Sequence, residues 1–318
     1  MAFASRGFLS SAFGGPTESS EKLRNVRYRN FDYLRLFLSL EVVAGHLHAG
    51  LLAPGGFWTP IPPVAAFIAL SGFLIPQALD RSGNIRLFAR NRALRTLPAL
   101  APLMIAITLV FGLSAAGGAM LQYLSAGYMG QFRGVTLPLW SLIVEDGLYA
   151  FTALLFVFSL HKSPLLTASI IVILLIGESY VEDPSTKYRI FHTSISFFAG
   201  NLVNIYHDRL RKLSWVWPAI VVVVCRAGWA DGLGLASLPL LMAGTIVLAI
   251  CLPQGTLRLP DLSYGIYIWH GPIMIALLDP VGMGRNAQWV VATVLASIMF
   301  ATLSWRLVER PALRLKSR

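Results

Sequence analysis

Arg35 and His46 stand eleven residues apart in one apolar run, Phe31 to His46. Eleven steps of an α-helix make about three turns, so the two side chains share a face to within roughly 20° and lie roughly 16 Å apart along the axis. A guanidinium is permanently charged and holds anions; an imidazole titrates near neutral pH and serves as a general base. The pair describes a site that grips an anion at one end and moves a proton deeper in. The plainer readings are an arginine snorkelling to the interface, with Asp32 as partner one turn earlier, and a histidine hydrogen-bonded between helices. Ionisable residues inside an apolar run are costly, and the shared face favours function. His48 points about 200° away from His46 and reads as an interface residue. Glu41 lies between Arg35 and His46 on another face and has no assigned role.

Three further groups could join this chemistry. Arg92 and Arg95, within Arg86 to Pro98, sit at i, i+3 and project together. Their planar forks suit phosphate oxygens, although a basic loop at a membrane face would look the same. Ser141, Glu145 and Tyr149 fall at i, i+4, i+8 on one face. Glu145 lies six residues into its run, about 9 Å from the surface, a depth that matches His46 and suggests a pairing between them. His270 closes Ser263-Tyr-Gly-Ile-Tyr-Ile-Trp-His270, deeper than an aromatic belt at a membrane interface explains. Ser71-Gly72 reads as close helix packing.

The elements that must hold these residues follow from composition. The chain has 318 residues, 56% hydrophobic and only 13% charged, with a mean hydropathy of +0.65. Its apolar residues come in runs of roughly 17 to 22, long enough to cross a bilayer core. The fold class is therefore all-α, a polytopic membrane helix bundle; a membrane β-barrel would show short alternating segments. Ten candidate spans lie at about 32–52, 63–79, 97–116, 139–160, 164–180, 190–206, 214–230, 235–253, 263–279 and 288–306. With both termini cytoplasmic, twenty of the 26 Lys and Arg fall on inside segments and five outside, and Arg35 lies within a span. That bias fixes the orientation and accounts for the net charge of +11 without nucleic acid. Residues 1–30 read as a partly disordered cytoplasmic tail without the apolar core of a signal peptide. Residues 31–311 form the ten-helix domain, and 312–318 a basic cytoplasmic tail. Cys225 and Cys251 read as small buried residues outside any disulfide framework.

Six segments, in this order, resemble the acyltransferase-3 family of integral-membrane O-acyltransferases. They are Asp32-Tyr-Leu-Arg35 followed after ten residues by His46, Leu70-Ser-Gly-Phe-Leu-Ile75, Arg92-Ala-Leu-Arg95 before Pro98, Trp140-Ser-Leu-Ile-Val-Glu145, Ser263 to His270, and Glu309-Arg310-Pro311. Glu41, and Asp146-Gly147 after Glu145, depart from the family's usual pattern. The resemblance implies transfer of an acyl group, by default acetyl from acetyl-coenzyme A, onto a hydroxyl of a glycan, lipid-linked sugar or glycoside. It implies Arg35, His46, Arg92 and Arg95 as functional residues. The anionic nucleotide end of coenzyme A would stay at the cytoplasmic mouth by Arg92, Arg95 and Arg35, and the pantetheine arm would rise towards His46.

The resulting expectation is an O-acetyltransferase, multi-pass in the inner (plasma) membrane. Its catalytic residues are His46 as general base or acyl carrier and Glu145 as the group that orients or charge-balances a histidine. Arg35, Arg92 and Arg95 bind the donor, Ser141, Tyr149 and His270 line the acceptor site, and no metal takes part. A proton-coupled transporter using His46, Glu41 and Glu145 as a relay is the alternative, against which stand the missing inverted repeat and the arginines gathered at one mouth. A non-catalytic glycan- or lipid-binding membrane protein is the other.

Overall fold

The structure is a computed structural model that describes residues 28–48, 61–130, 138–230, 234–257, 259–278 and 287–316. Residues 1–27 of the expected tail, the outer end of the first span after His48, Arg133, Arg258, Arg285 and residues 317–318 lie outside them. Among the described residues every regular element is helical. In chain order the α-helices longer than a single turn of three residues are α1 (Asn30–Leu47), α2 (Pro63–Ser82), α3 (Ile85–Phe111), α4 (Leu113–Leu124), α5 (Trp140–Val157), α6 (Pro164–Ser179), α7 (Thr193–Leu210), α8 (Val216–Ala230), α9 (Gly234–Cys251), α10 (Ser263–Leu278), α11 (Ala287–Ser304) and α12 (Arg310–Arg314). A π-helical segment, Lys187–His192, leads into α7, and another, Trp305–Glu309, joins α11 to α12. Among the described residues, four helical stretches are long and apolar enough to cross a membrane: Pro63–Ser82, Ile85–Phe111, Trp140–Val157 and Gln288–Arg314.

The third expected span differs most. The sequence places its start at about residue 97, after the arginines, but the helix begins at Ile85. Asn84 caps it by accepting hydrogen bonds from the backbone N–H groups of Arg86 and Leu87. Gly83, at φ 56°, ends α2 in the left-handed region, so only two residues separate the helices. Arg92 and Arg95 therefore sit on a rigid helix of 27 residues. Pro98 and Pro102 lie inside it, not at its start. Gly112, at φ 90°, closes it, so residues 113–116 belong to α4.

The bundle is built around α2, whose broadest contact is with α7. A Cβ on Gly72 would fall 1.8 Å from the carbonyl oxygen of Phe197, and one on Gly200 would fall 1.9 Å from that of Ala69. The two glycines thus let two backbones touch, the usual way of binding helices where lipid is as apolar as any side chain. Phe73, Phe197, Leu70 and Leu79 fill the core around this seam. On the other side α1 packs against α10 and α2, and α10 against α11. The start of α1 is pinned: Asn30 donates to the carbonyls of Ala249 (2.9 Å) and Pro253 (3.2 Å) and accepts from the Gly255 N–H. At the C-terminus α12 folds back on α3, where Arg90 donates to the Leu315 carbonyl at 3.1 Å.

Candidate functional site

Helices α1, α2, α3, α5 and α10 surround a cavity of about 870 Å3, its open mouth included. Arg35, Arg92 and Arg95 reach it from α1 and α3; Ser141, Glu145 and Tyr149 reach it from α5. Six residues singled out from the sequence, spread over 115 positions, thus line one space. Tyr264 and Tyr267 of α10 complete one wall, and Val64, Phe67 and Ile68 of α2 supply an apolar side. The mix of a few polar groups in an apolar pocket is that of a small-molecule site.

The cations differ in their partners. Arg95 donates to Asp261 at 2.6 Å. Asp261 lies in the segment between α9 and α10 and also accepts from Ser263 at 3.2 Å. Burial alone would push its carboxyl up; the Arg95 and Arg35 guanidiniums outweigh that and hold it below the usual carboxylate range. Arg92 lies over the rings of Phe88 (5.7 Å) and Tyr149 (5.8 Å), and among the described residues its buried Nε has no hydrogen-bond partner. Lys316, beyond α12, does not line the cavity but lies close enough to feel the charges of Arg92 and Arg95. Burial, then the charges of Arg92 and Arg95, push its ammonium down to about 8.

Glu145 is not placed as the sequence suggested. Ser71 and Tyr149 both donate to its Oε1, so its hydrogen-bond partners are hydroxyls of α2 and α5 and not His46. The neighbouring carboxylate, Asp146, turns to α4 and accepts from Tyr123 at 3.0 Å. A separate groove between α3 and α5 runs past Asp146 and shares Arg92, Thr96 and Tyr149 with the main cavity.

The partner of His46 is His270. Their rings are nearly parallel, at 15°, with centroids 5.0 Å apart, and His46 Nδ1 lies 2.8 Å from His270 Nε2. His270 is buried, at 1% exposure. It also packs edge-on against Tyr267, with centroids 6.3 Å apart. Tyr267 in turn is hydrogen-bonded to Ser141 at 2.7 Å and donates to the Pro138 carbonyl at 3.1 Å. Tyr267 therefore faces the cavity on one side and the histidine pair on the other. His270, grouped with Ser141 and Tyr149 as an acceptor contact from the sequence, does not line the cavity itself, and neither does His46; the pair lies behind Tyr267. Glu41 is buried, and among the described residues its Oε2 has no hydrogen-bond partner.

Sequence reasoning missed three members. Asp261 was readable only as a lone acid two residues before the Ser263 motif, and its opposite sign to the arginines was the available signal. From its sequence Ser71 reads as packing; its neighbour Gly72 does pack, while Ser71 donates to Glu145. Tyr267 was absorbed into the aromatic run.

The acyltransferase-3 family model, described as an acyltransferase domain, matches residues 28–308. The chain is 29% identical, over an aligned length of 369 residues, to nodulation protein 10 of Rhizobium leguminosarum bv. viciae, covering 96% of this chain and 97% of that protein. It is 22% identical to the O-acetyl transferase of Shigella phage Sf6, covering 88% of this chain and 94% of the phage protein. With the O-acetyltransferase OatA of Staphylococcus aureus (strain NCTC 8325 / PS 47) it shares 24% identity over 92% of this chain but only 58% of OatA. No solved structure matches.

Proposed function

This chain belongs to the acyltransferase-3 family and is an O-acyltransferase, and on that premise we propose that it moves acetyl from cytoplasmic acetyl-coenzyme A to a hydroxyl of a glycan, lipid-linked sugar or glycoside. The observation that carries this reading is the polarity of the cavity. Arg35, Arg92 and Arg95 line one part, Ser141 lines another, and Tyr267 links Ser141 to the histidine pair. Arg92, whose Nε has no hydrogen-bond partner among the described residues, and Lys316, which feels its charge, offer an anion site for the nucleotide phosphates. The roughly 16 Å between Arg35 and His46 suits the pantetheine arm.

In this reading His46 is the general base. Its imidazole takes the proton of the acceptor hydroxyl as that oxygen attacks the thioester carbonyl carbon. The new C–O bond forms, the C–S bond breaks, and the proton leaves with the thiolate as coenzyme A. Glu145, Ser71 and Tyr149 act as one hydrogen-bonded unit that shapes the wall of the cavity. We place the chain in the inner membrane with ten spans and both termini cytoplasmic, on the Lys and Arg distribution, and the acceptor on the outer side. The names of the phage and staphylococcal relatives favour acetyl as the transferred group.

The test uses native membranes containing the protein and its endogenous acceptors, incubated with [14C]acetyl-coenzyme A. Label should enter a glycan-containing fraction and release free coenzyme A, and His46→Ala should do neither. A transporter would need sealed vesicles and a gradient, and a binding protein would leave the thioester intact; either result overturns the reading.

A further inference from the structure

The hydrogen bonds around His270 fix the protonation pattern of both histidines. His270 Nδ1 lies 3.2 Å from the carbonyl oxygen of Ile266, one turn earlier on α10. A carbonyl only accepts, so Nδ1 carries the hydrogen. In a neutral imidazole the other nitrogen is then an acceptor, so His270 Nε2 presents a lone pair. That lone pair faces His46 Nδ1 at 2.8 Å. His46 Nδ1 must therefore carry a hydrogen and donate it. The proton-free nitrogen of neutral His46 is Nε2.

We propose that His270 is a positioning residue which holds His46 in the Nδ1–H tautomer, leaving Nε2 as the basic nitrogen for acyl transfer. This rests on the reading of His46 as general base and adds the residue that orients it. Three features join in the assignment. The bond runs between two helices, α1 and α10, that pack along their length. The rings are parallel within 15°, so the orientation of His46 is set as well as its tautomer. The chain Ile266 carbonyl, His270, His46 has the logic of a base oriented by a third group, with a neutral imidazole in the place a carboxylate often takes. A neutral partner avoids burying a second charge beside His46. During the reaction His46 Nε2 accepts the acceptor's proton. The resulting imidazolium keeps its Nδ1–H bond to His270, and Nε2 returns the proton to the departing thiolate.

The experiment has two parts. The first needs no activity: 15N spectra of the purified parent with labelled histidine, the His46 signals identified by their loss in His46→Gln. His46 should show a protonated Nδ1 and a bare Nε2; the opposite tautomer overturns the proposal. The second compares His270→Leu with His270→Gln, whose side-chain carbonyl keeps an acceptor for His46. In membranes supplied with acetyl-coenzyme A, His270→Leu should lower kcat by about 10- to 100-fold, part of the 10² to 10⁴ that general-base catalysis contributes. Its KM for acetyl-coenzyme A should stay within about twofold, because only transition-state stabilisation is lost. His270→Gln should recover most of the lost kcat. Equal losses in the two variants, or a change confined to KM, would make His270 a packing or substrate-contact residue. If the parent shows the expected tautomer but cleaves no acetyl-coenzyme A, the function reading fails and the tautomer assignment stands.

Discussion

Arg92 and Arg95 are one turn apart on α3, yet replacing each by alanine should have different consequences. Arg95 is already paired with Asp261 at 2.6 Å, with about a quarter of each side chain exposed (28% and 25%). Removing it strands an acid. Breaking a buried pair costs about 3–5 kcal/mol, and partial exposure screens this to roughly 1–2 kcal/mol. Arg92 meets two aromatic faces and, among the described residues, its Nε has no hydrogen-bond partner. Its removal should cost little stability and a full charge-assisted contact to the donor. Such a contact is worth about 1.5–3 kcal/mol, which is roughly 10- to 150-fold in affinity. Arg95→Ala should weaken donor binding less, since its charge is already shared with Asp261. The assay is calorimetric binding of acetyl-coenzyme A and of acetyl-pantetheine, which lacks the nucleotide, together with thermal melts in detergent. Arg92→Ala should lose affinity only for the full donor, and added salt should weaken the parent in the same way. Equal losses for both donors, or a larger melting defect in Arg92→Ala than in Arg95→Ala, would refute the reasoning.

Four further outcomes follow from the same geometry. His46→Ala should abolish acetyl transfer while leaving protein in the membrane, whereas His48→Ala should retain substantial activity; wild-type turnover in His46→Ala would remove the general base. Lys316, pushed down to about 8, is charged below that pH and neutral above it, so the KM for acetyl-coenzyme A should rise as pH passes from 7 to 9; Lys316→Met should raise KM at pH 7 and flatten the rise. Gly72→Ala drives a Cβ into the Phe197 carbonyl, and overpacking of this kind costs typically 1–3 kcal/mol, so a detergent melt should fall sharply; an unchanged melt would mean the α2–α7 seam can open. Glu145→Gln and Ser71→Ala should each lower stability and together cost less than their sum, because they remove one hydrogen bond between them; strict additivity would separate the two.

Helix placement was largely legible from hydropathy, since each of the ten apolar runs overlaps a helix. The long α3 shows where the signal stops. Hydropathy marks its apolar part, but its first turns are basic, and the Asn84 cap and Gly83 turn decide the start. The spacing of Arg35, Arg92, Arg95, Ser141, Glu145 and Tyr149 was enough to select six residues that line one cavity. The pairings within that set were not legible. Equal estimated depth put Glu145 beside His46, but depth carries no azimuth. Glu145 instead meets the hydroxyls of Ser71 on α2 and Tyr149 on its own helix, and His46 meets a residue 224 positions away. Asp261 was hidden for the opposite reason: it lies outside every apolar run, where a single acid carries no mark of its partner.

The central claim is a route from a cationic mouth to the His46–His270 pair. A density map of the protein with coenzyme A bound tests it most directly. The nucleotide phosphates should lie against Arg92, Arg95, Arg35 and Lys316, and the pantetheine arm should pass Tyr267 with its thiol at His46. Phosphates bound away from these cations, or an arm lying in the α3–α5 groove beside Asp146, would contradict it.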